Sequence, residues 1–486
     1  MTQCTNVACM QEHSTMDATA STEAIYGNSL KSAEPYGTEE IPPAERHGNA
    51  RQQFTLWFAA NMVLAVMVSG FFSASFGLTV IQGLSAVIVG SALGAFMMGL
   101  LAGIGAKFGV AQQVQGRGPM GYHANTVPVT LLTVVSALGW TAVNTVFAVL
   151  ALQTLVDIPF WTGAAVIYLL QAVTAVWGYN LVHLINKIAT VVLAILFAII
   201  SVISINNVDL SLNVAPQGDL GDGSFSSWAI FAGFFFAYIL TWTPFASDFS
   251  RYLPKTESHT RVTLLTAAGS FFSMAWLGGI GVLVSSFAVD MGAVEALNDL
   301  TGSWAPVAML TVVVSTIPVS AMNLYGGALS LLTVGIPISR PVGVVTMSIL
   351  SFGIALWMQG DPYGTFYDFL SVLAYLVMPF STVLLLDYYS RSSKSGPLGV
   401  AELFDRSRKI EWGFFAWLIG CLSSMLFWST DLFTGPLTQL TAEAGDIAFV
   451  VGGVTSALAY GIFRQLQPLS PGTAVPTSQT KPTMSS

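Results

Sequence analysis

Apolar residues in this chain fall into long runs separated by short polar links. Twelve runs predict helices, at roughly 54–78, 84–104, 125–155, 160–182, 188–205, 227–247, 263–287, 304–335, 341–358, 365–388, 412–430 and 446–463. A helix crosses the hydrocarbon core of a bilayer in about 20 residues, and several runs reach that length. The third and eighth exceed it, which fits tilt or extension into the interface. Two polar segments flank the set. Residues 1–50 mix "STMDATASTEA" with the turn-like "PYGTEEIPPAERHGN" and are expected to be a disordered cytoplasmic tail, not a signal peptide. Residues 466–486 are of low complexity and read as a second such tail, leaving 51–465 as the membrane domain.

Composition agrees with an all-α integral membrane protein. Of the 486 residues 53% are hydrophobic and 9% charged, whereas a soluble domain carries roughly 25% charged residues. The net charge of -8 and the lack of a basic patch with interleaved aromatics argue against nucleic acid as a partner. Cys4, Cys9 and Cys421 form no metal spacing and no disulfide framework. Neither HExxH nor a phosphate-cradling GxxxxGK[ST] occurs. No metal, cofactor or obligate protein partner is expected; lipid is.

Charge sets the orientation. With the N-terminus inside, basic residues such as Lys107, Arg117, Lys187, Arg251, Arg261, Arg340, Arg408 and Arg464 all fall on the cytoplasmic side. The opposite loops and their edges carry Asp157, Asp222, Glu295, Asp299, Asp361 and Asp446 and no Lys or Arg. This obeys the positive-inside rule. Both termini are therefore expected in the cytoplasm, in a plasma membrane or bacterial inner membrane.

Glycine and proline mark two places where helices should break. Ser69 and Gly70 lie in the outer half of the first span, and Pro244 lies inside "YILTWTPFASDFSRYLP" of the sixth. Pro244 has no N–H, and its ring displaces the carbonyl of Leu240, which must find another partner or face a cavity. Spans one and six hold matching places in two inverted blocks of five helices, and secondary transporters build midplane sites from such pairs. A packing kink accounts for the proline equally well. Asp248 and Arg251, three apart, can pair at the cytoplasmic interface in a structural or gating role.

Carboxylates are scarce near span centres, but amides recur: Asn61, Asn144 and Asn323. A buried amide must be satisfied. It can glue helices, as Asn61 does on one reading, or read a ligand. "GWTAVN" sets Trp140 and Asn144 four apart on one face, an indole plate beside an amide. Tyr238 and Trp242 repeat that spacing before Pro244. Such groups suit a flat heterocycle, although aromatic residues at helical spacing also serve as core.

These fragments resemble the nucleobase:cation symporter-1 family in its purine–cytosine permease branch. The resemblance rests on "IPPAERHGNARQQFTLWFAANMV", "GRGPMG", "GWTAVN", "WTPFASDFSRYLP" and "NLYGGALSL", in order, over roughly residues 37–465. It implies a twelve-helix transporter with a five-plus-five inverted repeat, discontinuous helices 1 and 6, and alternating access. It implies a substrate bound by Trp140, Asn144, Tyr238 and Asn323, to which the four-residue spacing from Tyr238 adds Trp242 as a candidate. Backbone around Met67–Phe71, including Ser69 and Gly70, would contribute carbonyls; Pro244 and Asp248 stand, on the helix break and the charge spacing alone, as candidates for backbone exposure or gating. Sodium-coupled members place hydroxyls where this chain has Ile317 and Pro318, so proton coupling is favoured over sodium. The implied substrate is a nucleobase, cytosine or a purine. The alternatives are another small heterocycle, such as a vitamin-like pyridine or a hydantoin, or an amino acid. An enzyme would need a nucleophile, base or metal cluster, and the sequence offers none.

Overall fold

The computed structural model describes residues 26–207, 220–287, 291–394, 399–430, 432–440 and 446–466. The main helices are α1 (Arg51–Asn61), α2 (Leu64–Phe71), α3 (Val80–Phe108), α4 (Val135–Gln153), α5 (Phe160–Trp177), α6 (Tyr179–Asn207) and α7 (Phe225–Leu240). They continue with α8 (His259–Phe287), α9 (Ala293–Thr301), α10 (Ala305–Thr333), α11 (Arg340–Met358), α12 (Pro362–Lys394), α13 (Trp412–Met425) and α14 (Ala448–Leu466). Among the described residues nine helical segments are long and apolar enough to cross a membrane, or ten if α1 and α2 are one bent span. α13 is apolar but has 14 residues, short of the about 20 that a straight crossing takes.

Two packed bodies emerge. The helices α1, α2, α3, α7 and α8 pack on one another; α4, α5, α10 and α11 form the second group, with α6 reaching both. Within the first body the backbones meet closely. A Cβ on Gly70 would stand 2.1 Å from the Gly278 carbonyl oxygen, and one on Gly281 2.0 Å from that of Met67. Only glycine admits this approach of α2 to α8.

The first break lies elsewhere than the Ser69–Gly70 pair suggests. Those two residues sit inside α2; the Ser69 hydroxyl donates to Ala65 O at 2.8 Å, and Gly70 serves the α8 contact. The helix breaks instead at Met62–Val63, where α1 and α2 bend by 58°. Val63 is extended (φ -138°, ψ 152°), a conformation that suits a β-branched residue. Asn61 Nδ2 donates to Trp57 O at 2.9 Å and fastens the end of α1.

The second break falls where the proline predicts. α7 ends at Leu240 and continues as a tighter 3₁₀ helix, Thr243–Phe249, with Pro244 in its first turn. The displaced Leu240 carbonyl accepts from the Thr243 hydroxyl at 2.6 Å. That bond replaces the one proline cannot make.

The N-terminal segment also departs from expectation. From Tyr26 onward it packs on the helices, with Tyr26, Glu34, Ile41 and Glu45 buried. Residues 1–25 and 467–486 lie outside the described residues.

Candidate substrate site

α4 and α10 touch where a Cβ on Gly327 would meet Ala137 Cβ at 2.7 Å. Trp140 and Asn144 lie three and seven residues beyond Ala137, and Asn323 lies four before Gly327. All three therefore fall on the facing stripes of the two helices. Each is buried. The Asn144 Oδ1 and both polar atoms of the Asn323 amide have no hydrogen-bond partner among the described residues. The hydroxyls of Ser136 and Ser320, on the same helices, are likewise unpartnered there. In α10, by contrast, Thr311, Ser315, Thr316, Ser330 and Thr333 all donate to carbonyls of their own helix.

Trp140 is anchored across the two bodies. Its Nε1 donates to Thr241 Oγ1 at 3.0 Å, and that hydroxyl donates to Tyr238 O at 2.7 Å. The indole also meets Tyr238 (centroids 4.6 Å apart), Phe369 (5.5 Å) and Phe366 (5.9 Å). A planar ligand between two rings needs about 7 Å, twice a contact of about 3.5 Å. The Trp140–Tyr238 pair is closed to it, so the two do not clamp a ring in this conformation. A ligand ring would use the remaining surface of the indole.

Trp242 belongs to a different group. It meets Trp57 at 5.4 Å and Phe245 at 6.3 Å. The spacing from Tyr238 to Trp242 does not bring their rings into one cluster: Tyr238 meets Trp140 and Trp242 meets Trp57, and the α-helix ends between them at Leu240.

Asp248 is fully buried and accepts from Gln112 N at 2.8 Å and Gln113 Nε2 at 2.9 Å. Its expected pairing with Arg251 is not made; Arg251 instead pairs with Glu34 at 2.9 Å. The 3₁₀ segment faces the loop after α3, whose glutamine donors reach the carboxylate first. Pro244 acts on the backbone as described, and its side chain adds no polar group.

Sequence reasoning missed Thr241, Phe366 and Phe369. Thr241 was visible one residue before Trp242, but its bond to Trp140 spans 101 positions. Above Trp140, Phe234 stacks on Tyr367 at 5.6 Å and Phe72 meets Phe366 at 6.4 Å. Beyond this aromatic floor a cavity of about 670 Å³ is lined by Phe76, Ile230, Tyr367, Asp368, Thr430 and Asp446, among others. Burial holds the Asp446 carboxyl up at about 6, although it accepts from Tyr375 Oη and Ala448 N.

The geometry has relatives. A solved structure of MHP1, a nucleobase-cation-symport-1 transporter closed around bromovinylhydantoin, superposes with a TM-score of 0.74 at 18% identity, covering 90% of this chain and 96% of that one. The fold is thus of the five-plus-five inverted-repeat kind. A Bacillus subtilis chain provisionally named as the purine-cytosine permease YxlA is 26% identical, over 88% of this chain and 95% of its own. The purine-cytosine permease fcyB of Emericella nidulans is 24% identical, over 89% of each. Residues 40–452 match the family model described as permease for cytosine/purines, uracil, thiamine, allantoin. Most of the chain, including every residue of the α4–α10 stripe, lies within that match, and the protein belongs to this permease family.

Proposed function

We propose that this permease imports a nucleobase, cytosine or a purine, by proton symport. The observation that supports it best is the pair of buried amides beside the indole of Trp140: Asn144 Oδ1 and both polar atoms of Asn323 lack a partner among the described residues. A neutral heterocycle presents N–H and C=O groups in one plane. The amides would read that edge while the ring lies on the open part of the indole. A buried polar atom without a partner costs about 1–3 kcal/mol, so a ligand supplying the missing bonds is held by the same groups.

In this reading the chain crosses the membrane twelve times. α1 with α2 counts as one span, α7 with its 3₁₀ extension as another, and α13 and α14 lie outside the repeat. Both termini are cytoplasmic, on the grounds of the one-sided basic residues. Met62 and Val63, not Ser69 and Gly70, supply the open backbone of the first span. The two bodies rock about the site to give alternating access. Proton coupling rests on Ile317 and Pro318, whose side chains offer no oxygen ligand, with the hydroxyls of Ser315 and Thr316 displaced from those positions.

A second reading keeps the scaffold and changes the ring. The vitamin B6 transporter TPN1 of Saccharomyces cerevisiae is 23% identical over 53% of this chain, so a substituted pyridine is the alternative cargo. Purified protein in liposomes, preloaded with cytosine, decides between them. Labelled cytosine should accumulate by counterflow and be displaced by purines and not by pyridoxine. Displacement by pyridoxine alone would support the second reading, and no counterflow with either would end both.

A further inference from the structure

Residues 26–48 carry chemistry that the substrate site does not use. The Glu34 side chain, from this segment, has no exposure. Its Oε1 accepts from Arg251 Nη2 at 2.9 Å, Tyr252 Oη at 2.6 Å and Tyr325 Oη at 2.9 Å. Its Oε2 accepts from the backbone N–H of Tyr179 at 2.9 Å and stands 3.9 Å from Arg340 Nε. Arg340 Nη2 donates to the Glu34 carbonyl at 3.0 Å as well.

These partners come from both bodies. Arg251 and Tyr252 lie directly after the 3₁₀ extension of α7, in the first body. Tyr325 lies in α10 and Arg340 opens α11, in the second. The segment on either side of Glu34 is anchored in the same divided way. On one side, Trp177 Nε1 at the end of α5 donates to Leu30 O at 3.0 Å, and Glu34 N donates to Trp177 O at 3.1 Å. On the other, Ile41 N donates to Gly109 O at 2.8 Å and Arg46 Nη1 to Ala106 O at 2.6 Å, both at the end of α3. His47 N donates to Tyr252 O at 2.7 Å. The segment thus runs from the second body to the first, with one carboxylate bonded to both midway.

We propose that residues 26–48 form a strap that holds the basic end of the two bodies shut, with Glu34 as its fastening. Opening at this end requires Glu34 to give up one set of partners. The proposal rests on the two-body transport reading only for its biological meaning; the mechanical claim stands on the contacts. A buried carboxylate is tolerated where it is paired and hydrogen-bonded, which this one is only while the bodies are together. Separation leaves Arg251 and Arg340 to be solvated by entering water, and the balance between the two sets the population of the open form.

The test is a distance measurement on the full chain in nanodiscs. Cys4, Cys9 and Cys421 are replaced by serine, and spin labels are attached to cysteines at Thr260 on α8 and Val342 on α11, both exposed. Glu34→Gln keeps the shape and removes the charge. The long-distance population should rise about tenfold or more, since breaking a buried pair by removing one partner is strongly destabilising. Tyr325→Phe, which removes the hydrogen bonds of the Tyr325 hydroxyl to Glu34 and from Arg251 but no charge, should give a smaller rise and serves if Glu34→Gln does not fold. Glu39→Gln, exposed on the same strap, should leave the distribution unchanged. Distributions for Glu34→Gln and Tyr325→Phe that coincide with the parent would overturn the strap. Cytosine counterflow in the same preparations separates the two claims. A strap that opens in a protein carrying no cytosine refutes the cargo, and unchanged distances in a protein that carries it refute the strap.

Discussion

Replacing Asn323 with leucine should move stability and binding in opposite directions. The Asn323 Oδ1 and Nδ2 are both buried without a partner among the described residues. Each such atom costs the ligand-free protein about 1–3 kcal/mol. Leucine keeps the branched four-atom shape, is somewhat bulkier and has no polar atom, so the ligand-free variant should unfold at a higher temperature than the parent. Binding should weaken because the polar edge of the substrate would then be buried against a methyl group. One lost bond of about 1–3 kcal/mol corresponds to roughly 5- to 150-fold in Kd. The penalty should vary with the exocyclic groups of the ring, being larger for substrates that present both a donor and an acceptor. The assay is equilibrium binding of labelled cytosine to purified protein, alongside thermal unfolding without ligand. A helix-packing amide predicts the reverse pattern, with lower stability and unchanged affinity. That result for Asn323→Leu, repeated for Asn144→Leu, would refute the site.

Thr241→Val should strip the Trp140 N–H of its acceptor, lowering stability by about 1–3 kcal/mol in thermal unfolding and weakening all ring substrates alike. Gly70→Val should prevent accumulation of folded protein in the membrane, since its Cβ would lie 2.1 Å from a carbonyl oxygen of α8; monodisperse elution checks this. Single cysteines at Asp222 and Glu295 should react with an impermeant maleimide on intact cells, whereas labelling only after permeabilisation would reverse the orientation. Uptake should rise as external pH falls and be indifferent to choline replacing sodium at fixed potential; a strict sodium requirement would reverse the coupling. Asp446, raised to about 6 by burial, holds a charge at pH 7 that the folded state disfavours. Stability should therefore grow as pH falls through 6 toward 4, and Asp446→Asn should be more stable than the parent at pH 7 but not at pH 4.

The sequence made the helices legible, and one break with them, because proline carries its own mechanism. Pro244 names the carbonyl it displaces, and the structure shows how Thr243 takes that carbonyl. The Met62–Val63 break has no such signature. Neither residue is a breaker, and the bend comes from docking α1 and α2 against different stretches of α8. Ser69 and Gly70 drew attention by composition, yet that glycine meets a need for proximity and not for flexibility. The shared face of Trp140 and Asn144 was readable because helical spacing within one segment is short-range information; that Asn323 comes to face them depends on the packing of α10 on α4. The separation of Tyr238 from Trp242 was not readable, since it depends on where an α-helix ends. Glu34 was hidden for a simpler reason: its carboxylate accepts from partners between 145 and 291 positions away, and nothing local distinguishes it from the other acids of a polar leader.

The bond from Trp140 to Thr241 joins a residue of one body to a residue of the other, at the wall of the site. The indole proposed to bear the substrate is therefore also a mechanical link. If the bodies rock as proposed, this link must rotate, stretch or part, and the surface offered to the ring changes with it. Affinity and reorientation rate would then not be independent. A selection that tunes the recognised ring through Trp140 or Thr241 also retunes the speed of the cycle, and variants with altered cargo should cluster with variants of altered turnover.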